Sequence, residues 1–194
     1  MKPYEDQFAR GWHGGPGLCG AGSEPARAGH DRERLASVVE QWSMLHGGFA
    51  PRVLEIGCGD LRWLGDELPP RYTGLDLHRR ETWETAEVAG ARLIEGNACE
   101  TELPRADIAV ARLVFIHLSN RAILAILDRR RAAGVEWLMA STFPGADNPA
   151  RLPEGEDYSL RGFPLDLEDA PFALFRALVA IPRGPMMVYD LGED

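Results

Sequence analysis

Long apolar runs are missing from the sequence. No stretch approaches the ~20 residues needed to cross a bilayer, and Glu5 and Asp6 stand where a secretion signal would have its apolar core. Cysteine is scarce as well. Cys19, Cys58 and Cys99 are odd in number and widely spaced, without a CxxC pair or a histidine cluster, so neither a disulfide framework nor a metal site is expected. These absences predict a soluble chain in a reducing, cytoplasmic setting with no membrane partner. Basic residues are outnumbered too: 21 Lys and Arg face 30 Asp and Glu, a formal charge of -9. That charge repels a phosphate backbone and argues against nucleic acid as a partner. The densest basic run, Arg129-Arg130-Arg131, closes a predicted helix, where cations suit the C-terminal dipole, and is expected to be a solvated face.

What is present reads as one domain. With 194 residues, 45% of them hydrophobic, the chain can bury one core and has no room for two. Residues 1–30 are glycine-rich and aperiodic, as in a loop or flap. Residues 31–48 then carry Leu35, Val38, Val39, Trp42 and Leu45 at helical spacing, with Asp31 as a plausible N-cap and Gly47-Gly48 as a stop. Within 49–141, strands are predicted at 52–56, 72–77, 91–94, 107–111 and 135–141. Helical patterns separate them: Leu61, Trp63, Leu64 and Leu68; a weak one over 80–88; and Asn120 to Ala133, capped by Ser119, striped by Ile123, Leu124, Ile126 and Leu127, and ended by Gly134. This alternation predicts a mostly parallel sheet with helices on both faces, an αβα sandwich. Pro144, Pro149, Pro153 and Pro164 break up 142–171, a substrate-side insertion, and 172–194 reads as two strands joined by Pro182-Arg183-Gly184-Pro185. No heptad or exposed strand pattern identifies an oligomer interface.

The most informative stretch is Glu55-Ile56-Gly57-Cys58-Gly59-Asp60, where paired glycines between a strand and a helical pattern let a ligand approach the backbone. Such a turn fits any nucleotide cofactor. A dinucleotide fingerprint needs a third glycine where Arg62 stands, which disfavours a nicotinamide-dependent oxidoreductase. Asp76 ends the second strand, where a carboxylate can accept hydrogen bonds from both hydroxyls of a ribose. Asn97-Ala98 follows the third strand, where a loop can hold an adenine edge. A tight structural turn with Asp60 as a helix cap is the competing explanation.

Together these residues resemble the class I S-adenosylmethionine-dependent methyltransferases, whose first motif, E/D-x-G-x-G, is matched by Glu55 to Gly59. The resemblance covers roughly 52–141. It implies a Rossmann-like three-layer fold with a seven-stranded sheet of order 3-2-1-4-5-7-6 and a reversed C-terminal hairpin. It also implies S-adenosyl-L-methionine as cofactor, S-adenosyl-L-homocysteine as product, and a cofactor site at Glu55, Gly57, Cys58, Gly59, Asp76, Leu77, Asn97 and Ala98. The chain is more closely similar to a branch of small methyltransferases with the motifs W-x-x-G, G-C-G-D-x-x-W and C-R-D-x-x-x-H-L-S-N. Here they appear as Trp12 to Gly15, Gly57 to Trp63, and Ala111 to Asn120, with Leu113 where that branch has an acid. Within this resemblance Trp12 and Gly15 belong to a flap that covers the cofactor.

Methyl transfer from a sulfonium is an in-line displacement, so holding the acceptor near attack distance supplies much of the acceleration. His117, just beyond strand four, can take a proton from a hydroxyl or amine, or can merely pack beside Ser119. Arg112, at the end of that strand, can pair with a carboxylate or phosphate of cofactor or substrate, or with Asp76 or Glu55. Phe143, Tyr158 and Arg161 make up the expected acceptor wall, and Trp63, on the first turn after the glycine loop, is a substrate-contact candidate or, more often for such a residue, core packing. The function expected is methylation of a small-molecule O or N acceptor, as in specialised metabolism. A catalytically silent S-adenosylmethionine-binding regulator is the alternative from another class, and Leu113 is the feature that favours it.

Overall fold

The computed structural model describes residues 25–148, 162–177 and 186–191. Trp12, Gly15, Tyr158, Arg161 and the 182–185 tetrad lie outside them. The first helix, α1, spans Pro25–Leu45, and proline suits its first position because that N–H has no helical partner. Asp31 is therefore not its N-cap. It sits inside the helix, where Arg34 (2.8 Å) and Arg112 (2.9 Å) neutralise its carboxylate. Leu35, Val38 and Trp42 are buried as the spacing predicts, but Leu45 is exposed beside the glycine stop.

Seven strands follow: β1 (Val53–Ile56), β2 (Tyr72–Asp76), β3 (Arg92–Glu95), β4 (Ile108–Ala111), β5 (Trp137–Ser141), β6 (Phe175–Arg176) and β7 (Met186–Asp190). They form one sheet of order β3-β2-β1-β4-β5-β7-β6. The first five strands in that order are parallel, and β7 runs antiparallel to both β5 and β6. The Rossmann-like topology expected from the motifs is thus the one observed. The strand predicted from Phe172 onward is reduced, among the described residues, to the two-residue β6.

Period-2 alternation sorts the strand side chains into two layers. Leu54, Leu75, Ala109, Leu138 and Ala140 pack on one face against Ile123, Ile126 and Leu127 of α3 (Asn120–Ala133). Val53, Tyr72, Ile108, Val110, Trp137 and Met139 pack on the other against α1 and Trp83 of α2 (Thr82–Val88). Leu124, expected in the α3 stripe, points outward at 37% exposure. At the seam between β1 and β4, Arg52 donates from its backbone N–H (2.6 Å) and its guanidinium to Asp107, 55 residues away.

Two segments differ from their sequence pattern. The helix predicted over Leu61 to Leu68 is a single 3-10 turn, Arg62–Leu64, bracketed by left-handed Leu61 (φ 64°) and Gly65 (φ 71°). Its apolar spacing mimics a helical face because Leu61, Trp63 and Leu64 are buried from an irregular turn. The second segment, Gly162 to Leu174, is irregular as its prolines require, yet it is part of the core. Leu165 and Leu167 are fully buried. Their backbone pairs with Phe143 N–H (2.8 Å) and with Thr142 Oγ1, which accepts from Leu167 N–H (3.1 Å), so groups at the end of β5 that would otherwise be orphaned are satisfied. The basic run closing α3 is only partly a solvated face: Arg129 Nε donates to Cys99 O (2.7 Å) and Arg130 to Leu191 O (2.9 Å).

Candidate functional site

The sheet reverses its winding between β1 and β4, and ligands of open α/β sheets bind beyond the carboxyl ends of the strands at such a point. Gly57 and Gly59 turn the chain there with φ of 71° and 57°, values that L-residues with a Cβ adopt at a cost. A Cβ at Gly57 would lie 2.3 Å from Val114 Cγ2, so that position has no room for a side chain. Gly59 N–H donates to Asp76 Oδ2 (2.9 Å), which brings the glycine turn and the acid at the end of β2 to one point. Asp76 also accepts from His78 N–H (3.3 Å) and, more weakly, from Arg80 (3.4 Å). A carboxylate offers about four acceptor positions, so these three donors leave it capacity for a ribose hydroxyl, and the long Arg80 bond can be exchanged for a second. Burial pushes the Asp76 carboxyl up from its ordinary range, against the opposing pull of Arg80 and the two N–H donors.

Beneath the turn lies a buried polar cluster. Glu55 accepts from Trp63 Nε1 (2.6 Å) and from the Tyr72 hydroxyl (2.5 Å). Burial pushes its carboxyl up to about 8, outweighing those two donors and the nearby Arg112 guanidinium. Burial, reinforced by Glu55, likewise raises the Tyr72 hydroxyl. Thr82 Oγ1 donates to Asp60 O (3.0 Å) and Trp83 Nε1 to Gly59 O (2.7 Å), tying the turn to α2. The guanidinium of Arg112 stands 5.2 Å from the centroid of the Trp63 ring, and its Nε donates to Asp31.

These contacts correct several expectations. Arg112 pairs with Asp31 rather than with Asp76 or Glu55, because α1 starts early enough to carry that carboxylate over the end of β4. Of the two readings of Trp63, substrate contact and core packing, the second holds: it is buried with its indole N–H on Glu55. Both Glu55 oxygens are occupied by protein donors, so that acid braces the turn from below. Cys58 is buried too, in the space left by the missing side chain of Gly74, with its N–H on Leu75 O (3.2 Å).

The remaining residues lie along the same edge. Leu77 follows β2, half-buried. Asn97 Oδ1 accepts from Cys99 N–H (3.0 Å), fixing the loop after β3 beside buried Ala98. His117 closes a 3-10 turn, Phe115–His117, between β4 and α3. Ser119, not His117, caps α3 by accepting from Ala122 N–H (3.0 Å). Gly162 packs on that turn: a Cβ there would lie 3.4 Å from His117 Cε1. Phe143 is half-buried just past β5. Sequence reasoning missed Asp31, Tyr72, Arg80 and Trp83. An aromatic among charged residues in the short α2 was a signal for Trp83. Nothing in the sequence links Asp31 to Arg112, 81 positions on.

No family model matches the chain, and no curated protein matches it by sequence. Solved structures do. The methyltransferase domain of bacterial CtHen1-CN superposes with a TM-score of 0.54 at 16% identity, over 84% of this chain and 100% of that one. Magnesium protoporphyrin IX methyltransferase (ChlM) from Synechocystis PCC 6803 with bound SAM gives 0.53 at 16%, over 85% and 80%. The DhpI–SAH complex gives 0.50 at 15%, over 96% and 94%. At these identities the likeness is one of architecture: the chain has the Rossmann-like, seven-stranded fold of these methyltransferases.

Proposed function

We propose that this protein is an S-adenosylmethionine-dependent methyltransferase acting on a small-molecule O or N acceptor. The observation that carries the reading is the Gly59–Asp76 hydrogen bond at the β1/β4 switch point, on a fold similar to that of structures holding SAM or SAH. When bound, the cofactor supplies an electrophilic methyl on a sulfonium. The chain's residues do the rest. Asp76 accepts from the ribose, the Gly57–Gly59 turn runs beneath the amino-acid part, and Asn97 and Ala98 border the adenine. His117 would take the proton that an O–H or N–H acceptor loses on gaining the methyl. Phe143 flanks the acceptor just past β5. The net charge of -9 favours a small acceptor over a polyanion.

Calorimetry with S-adenosylhomocysteine and with NAD tests the cofactor. The former binds and the latter does not, and Asp76→Ala, folded by circular dichroism, loses about 2 kcal/mol or more of affinity because charge-assisted hydrogen bonds to the ribose are gone. Unchanged affinity in Asp76→Ala rejects the assignment. Once labelled-methyl screening yields an acceptor, His117→Ala lowers turnover roughly 10²- to 10⁴-fold while sparing cofactor affinity. Full turnover in that variant removes His117 from the site. Binding without turnover on any acceptor class supports a silent regulator instead.

A further inference from the structure

The helix predicted after the glycine turn is not formed, so no ladder of i→i+4 bonds fixes Gly57 to Leu64. Other contacts must hold the turn. Those from α2 reach Gly59 and Asp60, and those from α1 reach Trp63. Arg32 Nη1 donates to Trp63 O (3.4 Å). Asp31 accepts from Arg112 Nε, which keeps that guanidinium over the indole while the indole N–H is engaged by Glu55. Asp31 and Arg112 are both buried, at 8% and 7% exposure, and a charged pair in that setting holds its geometry far better than a solvated one.

We propose that Asp31 is a positioning residue for the cofactor turn: through Arg112 and Trp63 it makes α1 do the work of the helix that the sheet crossover lacks. The proposal rests on the cofactor reading only for its binding readout. Its structural content is that removing the Asp31 carboxylate loosens residues 57–64, more than 25 positions away in sequence, ahead of the rest of the domain. Arg34, which also donates to Asp31 (2.8 Å), belongs to α1 itself, so cutting the link to Arg112 leaves that contact within the helix.

The test uses the full chain and two variants. Asp31→Asn keeps the shape and removes the charge. Arg112→Lys keeps the charge and removes the planar group over the indole. Amide hydrogen exchange and S-adenosylhomocysteine calorimetry are read on each. Both variants are expected to speed exchange at 57–64 selectively and to weaken S-adenosylhomocysteine roughly 3- to 30-fold, the size of coupling that packed networks carry. A merely structural role would instead speed exchange throughout the domain, or lower the melting temperature with the bound fraction unchanged. Either result, or wild-type exchange at 57–64 in both variants, overturns the proposal. If the wild-type chain binds no S-adenosylhomocysteine, the cofactor reading fails, and the exchange data alone decide the role of Asp31.

Discussion

The crossovers that follow β4 and β1 solve one problem in opposite ways. After β4, once past left-handed Leu113 (φ 53°) and the 3-10 turn Phe115–His117, the chain obeys local rules. Ser119 caps α3 with its side chain, the helix runs for 14 residues, and Gly134 ends it in the left-handed region at φ 72°, so neighbours in sequence supply almost every backbone partner. After β1 local rules fail. Leu61 and Arg71 both sit at positive φ, and a 3-10 turn replaces the helix. The path is held by side chains from α1, α2 and β2. A crossover specified locally tolerates distant change, whereas one specified at long range is sensitive to it and free to follow a ligand.

The largest break in this contrast is expected from Gly57→Ala. The new Cβ both overlaps Val114 and is forced to φ 71°, which costs about 3 kcal/mol of stability when left-handed strain and overpacking combine. A chemical denaturation midpoint equal to wild type would mean that Val114 yields freely and that the turn is looser than its contacts imply. Glu55→Gln tests the buried cluster. Because burial raises the folded carboxyl to about 8, above an ordinary Glu near 4.3, the native state holds its proton more tightly than the unfolded chain. Stability from this group is therefore full below about pH 4, is lost as pH rises towards 8, and is level beyond. Urea midpoints measured across that window should fall for the wild type relative to the variant, and parallel curves would show that Glu55 is ionised in the native state.

Smaller effects sharpen the other side. Ser119→Ala should cost about 1 kcal/mol, the usual loss for an N-cap, while leaving S-adenosylhomocysteine affinity at its wild-type value in calorimetry. A large affinity loss would join the two crossovers that appear independent. Smallest of all, Arg71→Gly at exposed, left-handed Arg71 (φ 51°) should raise the melting temperature by an amount equivalent to a few tenths of a kcal/mol. Relief of left-handed strain slightly exceeds the added freedom of the unfolded chain. A lower melting temperature would mean that the Arg71 contact with Ala50 O outweighs the strain.

The same contrast marks what the sequence could reveal. The bounds of α3 follow from Ser119, its apolar spacing and Gly134, all signals within a few residues, and the structure reproduces them from Asn120 to Ala133. The positions of β1 to β5 and β7 were legible within a residue or two from short apolar runs, the strand expected from Phe172 was not, and the strand order came from the resemblance. The turn after β1 was misread because Leu61, Trp63 and Leu64 have helical spacing, although their burial is set by partners on α1. Asp31 was misread in the same manner: an acid before an apolar stripe looks like a cap until Arg112 arrives from β4. Leu165 and Leu167 were hidden among prolines, where an irregular path and a buried one look alike. The positions of the glycine turn and of Asp76 at strand ends were legible because each needs little more than a local pattern. The bracing by Tyr72 and Asp31 depends on tertiary contacts that leave no local trace, and that by Trp83 shows only as an aromatic among charged residues.

The Arg52–Asp107 pair bears on how the sheet is assembled. Strands β1 to β3 can gather from neighbours in sequence, and so can β4 and β5, but the seam between β1 and β4 joins residues 55 positions apart. Closing so long a loop has an entropic cost before any contact offsets it. A slip of one residue in that parallel pairing would send Leu54 and Val53 to the wrong layers. An ion pair placed immediately before both strands is satisfied in one register and strands two charges in the neighbouring ones. Its contribution lies less in deepening the native state than in making near-miss pairings short-lived, so that the chain's search ends with the carboxyl edges of the two halves level.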